Sequence, residues 1–172
     1  MGENGGVQMS NVIVINGAYD NEDALTNVFN YAYKKSMSWS GTGVRTTDLG
    51  EAIKSMQYVK QYWDKTDWKE LCHIVINLGG NTPKYMCYVP EVLAEKVALS
   101  VSRLIYSKGY QNCYFKHISD QNVLHFHFVI NNVNLNDGKK LHSHSELAVE
   151  IHNYLIDCYP ELDWMGVKYH TS

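Results

Sequence analysis

No two of the cysteines form a Cys-x-x-Cys pair: Cys72, Cys87, Cys113 and Cys158 are scattered along the 172 residues. Thiols spaced in this way read as reduced core groups of a cytosolic protein rather than as a disulfide framework. A continuous apolar run of about 18 residues, the length a membrane helix needs, is also missing, and so is a signal-peptide pattern at the start. After Gln8 there is no internal repeat or low-complexity segment. Nor is there a surplus of positive charge, the formal net charge being −3. A chain that grips nucleic acid with that total must cluster its basic residues locally or borrow them from a region beyond its end. What is present is an ordinary apolar and charged composition, at a length that buries a substantial core in one domain. That domain is expected over residues 9–172, with glycine-rich residues 1–8 read as a tail or scar ahead of a second methionine, Met9.

Val12-Ile13-Val14-Ile15 is a β-branched run closed by Asn16-Gly17, the pattern of a buried strand. Asp20 or Asn21 caps a predicted helix that runs to about Lys35, with Glu22 and Asp23 in its first turn and Leu25, Val28, Phe29 and Ala32 on its core face. From Ser36 to Thr47 the chain turns to Ser, Gly and Thr and reads as a mobile loop. A second helix over about 49–63, capped near Thr47 or Asp48, presents Ala52, Ile53, Met56 and Val59 at helical spacing. Leu71 to Leu78 reads as a strand ended by Gly79-Gly80-Asn81, and Pro90 opens an amphipathic helix over about 91–108. Cys113 to Ile118 follows as a strand, Ser119-Asp120-Gln121-Asn122 as a turn, and a second strand from Val123. A turn at Asn136-Asp137-Gly138, a helix near 143–158 and a strand or tail from Trp164 to His170 complete the order. The pattern predicts an α+β fold: an antiparallel β-sheet with helices packed on it, in two or three layers.

The chemistry is concentrated in Val123-Leu124-His125-Phe126-His127-Phe128-Val129-Ile130-Asn131. Strand alternation puts His125, His127, Val129 and Asn131 on one face and Phe126, Phe128 and Ile130 on the other. His117, just upstream, supplies a third imidazole. Three nitrogen ligands with further positions open describe a catalytic metal rather than a closed structural one. His-x-His alone is a weak motif; His117, Asp120 in the turn and the asparagines behind the pair make it specific. On ligand softness three imidazoles suit Mn, Ni, Co or Zn better than Mg. Asp120 reads as the acid that hydrogen-bonds the outer nitrogen of a ligand histidine. His73, alone on its strand, reads as a packing residue, and His142 and His144, at a helix start, as capping or solvent-facing groups.

The run His117, Asp120, His125-Phe126-His127, Asn131-Asn132-Val133-Asn134 and Asp137-Gly138-Lys139-Lys140 resembles the third motif of the mobilisation relaxases of the P class, within the HUH endonuclease superfamily. Independently, Ile15-Asn16-Gly17 followed by Ala24-Leu25-Thr26-Asn27-Val28-Phe29-Asn30-Tyr31 is similar to that family's first motif, whose tyrosine is the nucleophile. Glu51-Ala52-Ile53, Met56 and Lys60 resemble its second helix, and His73-Ile74-Val75 its next strand, so the likeness spans about residues 12–142. There are departures. Asn77-Leu78-Gly79-Gly80-Asn81 stands where the family has a Ser-Phe and a Pro-Gly-Glu turn. Asp120 and His125 each lie one residue further from His117 than the family pattern has them, as one extra turn residue would produce.

The resemblance implies an enzyme of the bacterial cytoplasm that nicks one strand of plasmid or conjugative-element DNA at an origin of transfer. A tyrosine hydroxyl attacks a phosphodiester and a 5′-phosphotyrosine adduct results. It implies Tyr31 and Asp120 as catalytic residues, a divalent ion on His117, His125 and His127, and Mn or Mg as the ion in use. Lys34, Lys35, Arg45, Asn131, Asn134, Lys139 and Lys140 are the candidate DNA contacts, with Tyr33 and Trp39 as faces on which bases stack. Single-stranded DNA is the expected partner of a monomer, joined by accessory relaxosome proteins and a coupling protein, and stronger DNA-binding parts are expected in a C-terminal extension. Two rivals stand beside this reading. One is a replication initiator or transposase of the same superfamily, with Tyr154 as nucleophile; the other is a non-catalytic module that the metal merely stabilises.

Overall fold

A computed structural model of the chain describes residues 9–67, 69–79, 89–120 and 123–171. The predicted tail at 1–8, the end of the turn at Gly80-Asn81, Cys87 and the turn residues Gln121 and Asn122 lie outside the described residues. The elements follow one another as β1 (Ser10–Asn16), α1 (Ala24–Lys34), β2 (Ser38–Thr42), α2 (Leu49–Tyr62), β3 (Leu71–Leu78), α3 (Glu91–Ser107), β4 (Asn112–Ile118), β5 (Leu124–Asn131), α4 (His144–Cys158) and β6 (Trp164–Thr171). The strands form one sheet in the order β2-β4-β5-β3-β1-β6. Every pairing is antiparallel except β1 with β6, which is parallel.

Alternation along the strands divides the core in two. Val12 and Val14 of β1, Cys72, Ile74 and Ile76 of β3, Tyr114 of β4 and Phe126, Phe128 and Ile130 of β5 pack with α3 and α4. Leu71, Cys113, Phe115 and Val129 point the other way, into α1 and α2. The architecture is therefore an α+β sandwich of three layers. Because β3, β4 and β5 are covered on both faces, their apolar runs are nearly continuous, and any polar side chain among them needs a partner.

The start of α2 follows its sequence signal, and the start of α4 is capped in the same way by a residue the sequence reading did not single out. Asp48 Oδ1 accepts from the Glu51 N–H at 2.9 Å, and Ser143 Oγ accepts from the Glu146 N–H at 3.1 Å, each satisfying an orphan donor of the first turn. The start of α1 differs from expectation: the helix begins at Ala24, so Glu22 and Asp23 precede it, and the Asn21 side chain accepts from the Asp23 N–H in the turn before.

The larger departure is the stretch predicted as a mobile loop. Ser38 to Thr42 is an edge strand in full register with β4, from Ser38 opposite Lys116 to Thr42 opposite Asn112. None of its residues is fully buried, and its one large side chain, Trp39, stacks on Phe115 with ring centroids 5.9 Å apart. An edge strand needs backbone pairing on one side only, so serine and glycine suffice where the neighbouring strand supplies the hydrogen bonds.

Candidate active site

The two histidines of β5 and the one of β4 meet across a single pair of strands. His117 lies directly opposite His125, and His127 lies opposite Phe115, all on the face that carries α1 and α2. The ring centroids of His117 and His127 are 4.4 Å apart, and those of His125 lie 5.3 Å from each. One ring nitrogen from each falls within 4.8 Å of the other two. His117 and His127 are buried and His125 is half-exposed, so the cluster opens to solvent on one side.

Hydrogen bonds decide which nitrogen each ring has to offer. His117 Nε2 lies 2.6 Å from the Ala32 carbonyl oxygen, and His125 Nδ1 lies 3.2 Å from that of Val123. A carbonyl only accepts, so both nitrogens carry the proton; His117 Nδ1 and His125 Nε2 are left with lone pairs. The third ring, His127, meets His73 of β3: His73 Nε2 and His127 Nδ1 are 2.9 Å apart, and His73 Nδ1 is 3.2 Å from the Tyr19 hydroxyl. Burial, with His73, His117 and His125 adding repulsion, pushes His127 down to about 2, and burial pushes His73 down to about 4. Burial likewise lowers His125, against the opposing hydrogen bond to Val123. Burial thus favours the neutral form of His73, His125 and His127, the form in which imidazole binds a metal. The donor set therefore fits a divalent ion.

Tyr31 stands over this cluster. It lies in the last turn of α1, 64% exposed, with its ring edge-on to His127 at a centroid distance of 5.9 Å. The helix is tied to the histidine cluster by its own backbone, since Ala32 O, which accepts from His117, is one of the terminal carbonyls that a helix leaves without an internal partner. Tyr33 turns away and meets Trp39 edge-on at 6.5 Å. Tyr154, on α4, packs against the core on the opposite side of the sheet.

The remaining predicted residues are placed as follows. Lys34 and Lys35 are exposed at the end of α1, each about one helical turn beyond Tyr31. Asp120 is exposed in the turn past the end of β4. Arg45 is exposed and pairs with Glu51 at 3.4 Å, on a groove that Tyr58, Tyr62 and Trp63 also line. Asn131 ends β5 and Asn134 lies just past it, at the strand end away from the histidines, and neither is brought to them. The Asn131 amide donates to the Met56 and Gln111 side of the core, at 3.1 Å to Met56 O and 2.8 Å to Gln111 Oε1, while Asn134 donates to Lys108 O at 2.8 Å. In the same region Lys139 pairs with Asp137 at 2.9 Å and Lys140 with Asp67 at 3.3 Å. His144 is not a free cap: its Nε2 donates to Asn132 Oδ1 at 3.1 Å. Sequence reasoning missed the contact of His73 with the cluster, which depends on β3 lying beside β5, and missed Tyr19 entirely, which reaches His73 because β1 lies beside β3.

Three imidazoles close enough to share one metal ion, with an exposed phenol beside them, thus sit on one face of a three-layer α+β sheet. The chain matches the family model described as Relaxase: MobA/VirD2-like, nuclease domain, over residues 25–154. It belongs to that family of mobilisation relaxases, whose nuclease domains act on DNA as endonucleases. Comparisons with curated proteins and with solved structures gave no match. Among the described residues, no helix is long and apolar enough to cross a membrane.

Proposed function

We propose that residues 9–172 are the catalytic domain of a P-class mobilisation relaxase that nicks one strand of plasmid or conjugative-element DNA at an origin of transfer, with Tyr31 as nucleophile. The observation that carries the reading is the Tyr31 ring set against His127, on the face where the three histidines converge. In the step, Tyr31 Oη forms a bond to the scissile phosphorus and the bond from phosphorus to the 3′-oxygen breaks. The phenol gives up its proton and the departing oxygen gains one, leaving a 5′-phosphotyrosine and a free 3′-OH. His117, His125 and His127 would hold a divalent ion, which would supply positive charge for the phosphate oxygens. Mn is the best match to nitrogen donors among the ions expected in use, with Mg as the other. Asp120 is the candidate acid of the turn beside the ligands.

The protein's own part is positional. His117 holds the end of α1 through Ala32, which keeps Tyr31 over the cluster, and Lys34 and Lys35 follow on the same helix end to meet the backbone of the single strand. Tyr33, Trp39 and the tyrosines beside Arg45 offer faces for unpaired bases. In this reading the domain works as a monomer in the bacterial cytoplasm, with accessory relaxosome proteins and a coupling protein. The placement of Tyr154 on the far side of the sheet supports Tyr31 over the initiator-type alternative. Incubation of single-stranded origin DNA with Mn and the wild-type protein should give a nicked product and a covalent band on a denaturing gel. Tyr31→Phe should lose both by at least about a thousandfold, of the order a missing nucleophile costs, while Tyr154→Phe retains them. The reverse pattern sinks the assignment.

A further inference from the structure

Two side chains that the nicking step does not use run from the histidine cluster to the loop after β1. His73 is 4% exposed, and it lies in line between His127 Nδ1, at 2.9 Å, and the Tyr19 hydroxyl, at 3.2 Å. A neutral imidazole has one N–H and one lone pair, so this chain of hydrogen bonds has two possible directions. If His73 donated to His127 Nδ1, the proton of His127 would sit on Nε2 and that nitrogen would have nothing to give an ion. The opposite direction leaves Nε2 bare: His127 Nδ1–H donates to His73 Nε2, and His73 Nδ1–H donates to the Tyr19 oxygen.

We propose that His73 and Tyr19 are positioning residues that hold His127 in its Nδ1–H tautomer and fix its ring, so that Nε2 is ready to coordinate the divalent ion. This rests on the metal centre of the proposed function. The relay is braced at its outer end. A Cβ at Gly17 would fall 2.4 Å from Tyr19 Cζ and 2.8 Å from its hydroxyl oxygen, so the phenol lies flat against that glycine and any larger residue would push the oxygen away. The Tyr19 carbonyl accepts from the Glu70 N–H at 2.6 Å, and Glu70 is itself held by the buried Lys60 ammonium. Three separate segments thus converge to place one phenol oxygen next to His73. Outer partners of metal-bound imidazoles set tautomer and orientation in this way, and their loss weakens metal binding.

Two measurements test it. Long-range proton–nitrogen spectra of the metal-free, histidine-labelled wild type should show His127 protonated on Nδ1, and calorimetry with manganese chloride should give the affinity of each variant. His73→Leu, which has no acceptor, should bind Mn about 10- to 100-fold more weakly. His73→Gln, whose Oε1 can take the place of the ring acceptor, should recover most of that affinity, and Tyr19→Phe should fall between. Thermal midpoints of the metal-free variants, recorded alongside, separate lost affinity from lost fold. A wild-type His127 protonated on Nε2 overturns the proposal, as does equal Mn affinity for the wild type, His73→Leu and Tyr19→Phe. Should His73→Leu not fold, the wild-type tautomer and Tyr19→Phe decide. A wild type that binds no Mn overturns the metal centre and the relay together, whereas wild-type binding with indifferent variants overturns the relay alone.

Discussion

Each histidine of the cluster has one ring nitrogen held by a partner: His117 by Ala32 O, His125 by Val123 O and His127 by His73. Two of those partners are backbone carbonyls and cannot be mutated away, which leaves His73 as the one that substitution can remove. A different histidine, away from the cluster, responds mainly to burial. His144 is pushed down to about 4 by burial, with Lys69 adding to it, against about 6.5 in an unfolded chain. The unfolded state therefore takes up the proton first, and the stability that depends on neutral His144 is complete above about pH 6.5 and is lost as the pH falls towards 4. Replacing it by glutamine, which keeps a donor for Asn132, should flatten the fall in urea midpoint between pH 7 and pH 5. An unchanged slope would assign the acid sensitivity to other groups.

At the scale of elements, α1 and α2 bring the chemistry to the sheet, and each is anchored by a polar contact no periodicity reveals. The Lys60 ammonium of α2 is buried against the carboxylate and the carbonyl of Glu70, just before β3. Burial lowers the Lys60 ammonium, and Glu70 opposes that by hydrogen bonding to it. Removing one partner of such a pair strands a buried charge, so Lys60→Met should cost about 3–5 kcal/mol in urea unfolding, and adding Glu70→Leu should return much of it. A loss below about 1 kcal/mol, the range of surface pairs, would mean that the two charges reach water. Most elements were legible in the sequence: the apolar runs of β1 and β3 and the cap at Asp48 stand close to where their patterns place them. The strand β2 was not, because an edge strand of Ser, Trp, Ser, Gly and Thr borrows its order from β4 and carries no alternation of its own.

At the scale of the whole molecule, the sheet order sorts the tyrosines. The same alternation that sends Phe126 and Phe128 towards α3 and α4 sends His125 and His127 towards α1, so that Tyr31 and the histidines share a face and Tyr154 does not. The histidine triad was legible because His-x-His on a strand and a cross-strand His117 are local patterns. The His73 and Tyr19 contacts were not, because β3 becomes the neighbour of β5 on one side and of β1 on the other only through the strand order, and no local pattern encodes that order. The burial of Asn131 and Asn134 was hidden for the same reason: their partners Met56, Gln111 and Lys108 come from other elements. If an ion binds the folded triad and not the unfolded chain, Mn at 100 times its dissociation constant should stabilise the protein by about 2.7 kcal/mol. EDTA should reverse that rise in thermal midpoint, and a His125→Ala, His127→Ala variant should not show it.

In the proposed function Tyr31 and the histidine face form one reaction centre. Its most direct test is peptide mass spectrometry after the wild-type protein has been incubated with single-stranded origin DNA and Mn and then digested. The claim predicts a nucleotide phosphate adduct on the peptide that contains Tyr31, absent when EDTA is present. An adduct on Tyr154 or Tyr33, or cleaved DNA with no tyrosine adduct, would contradict it.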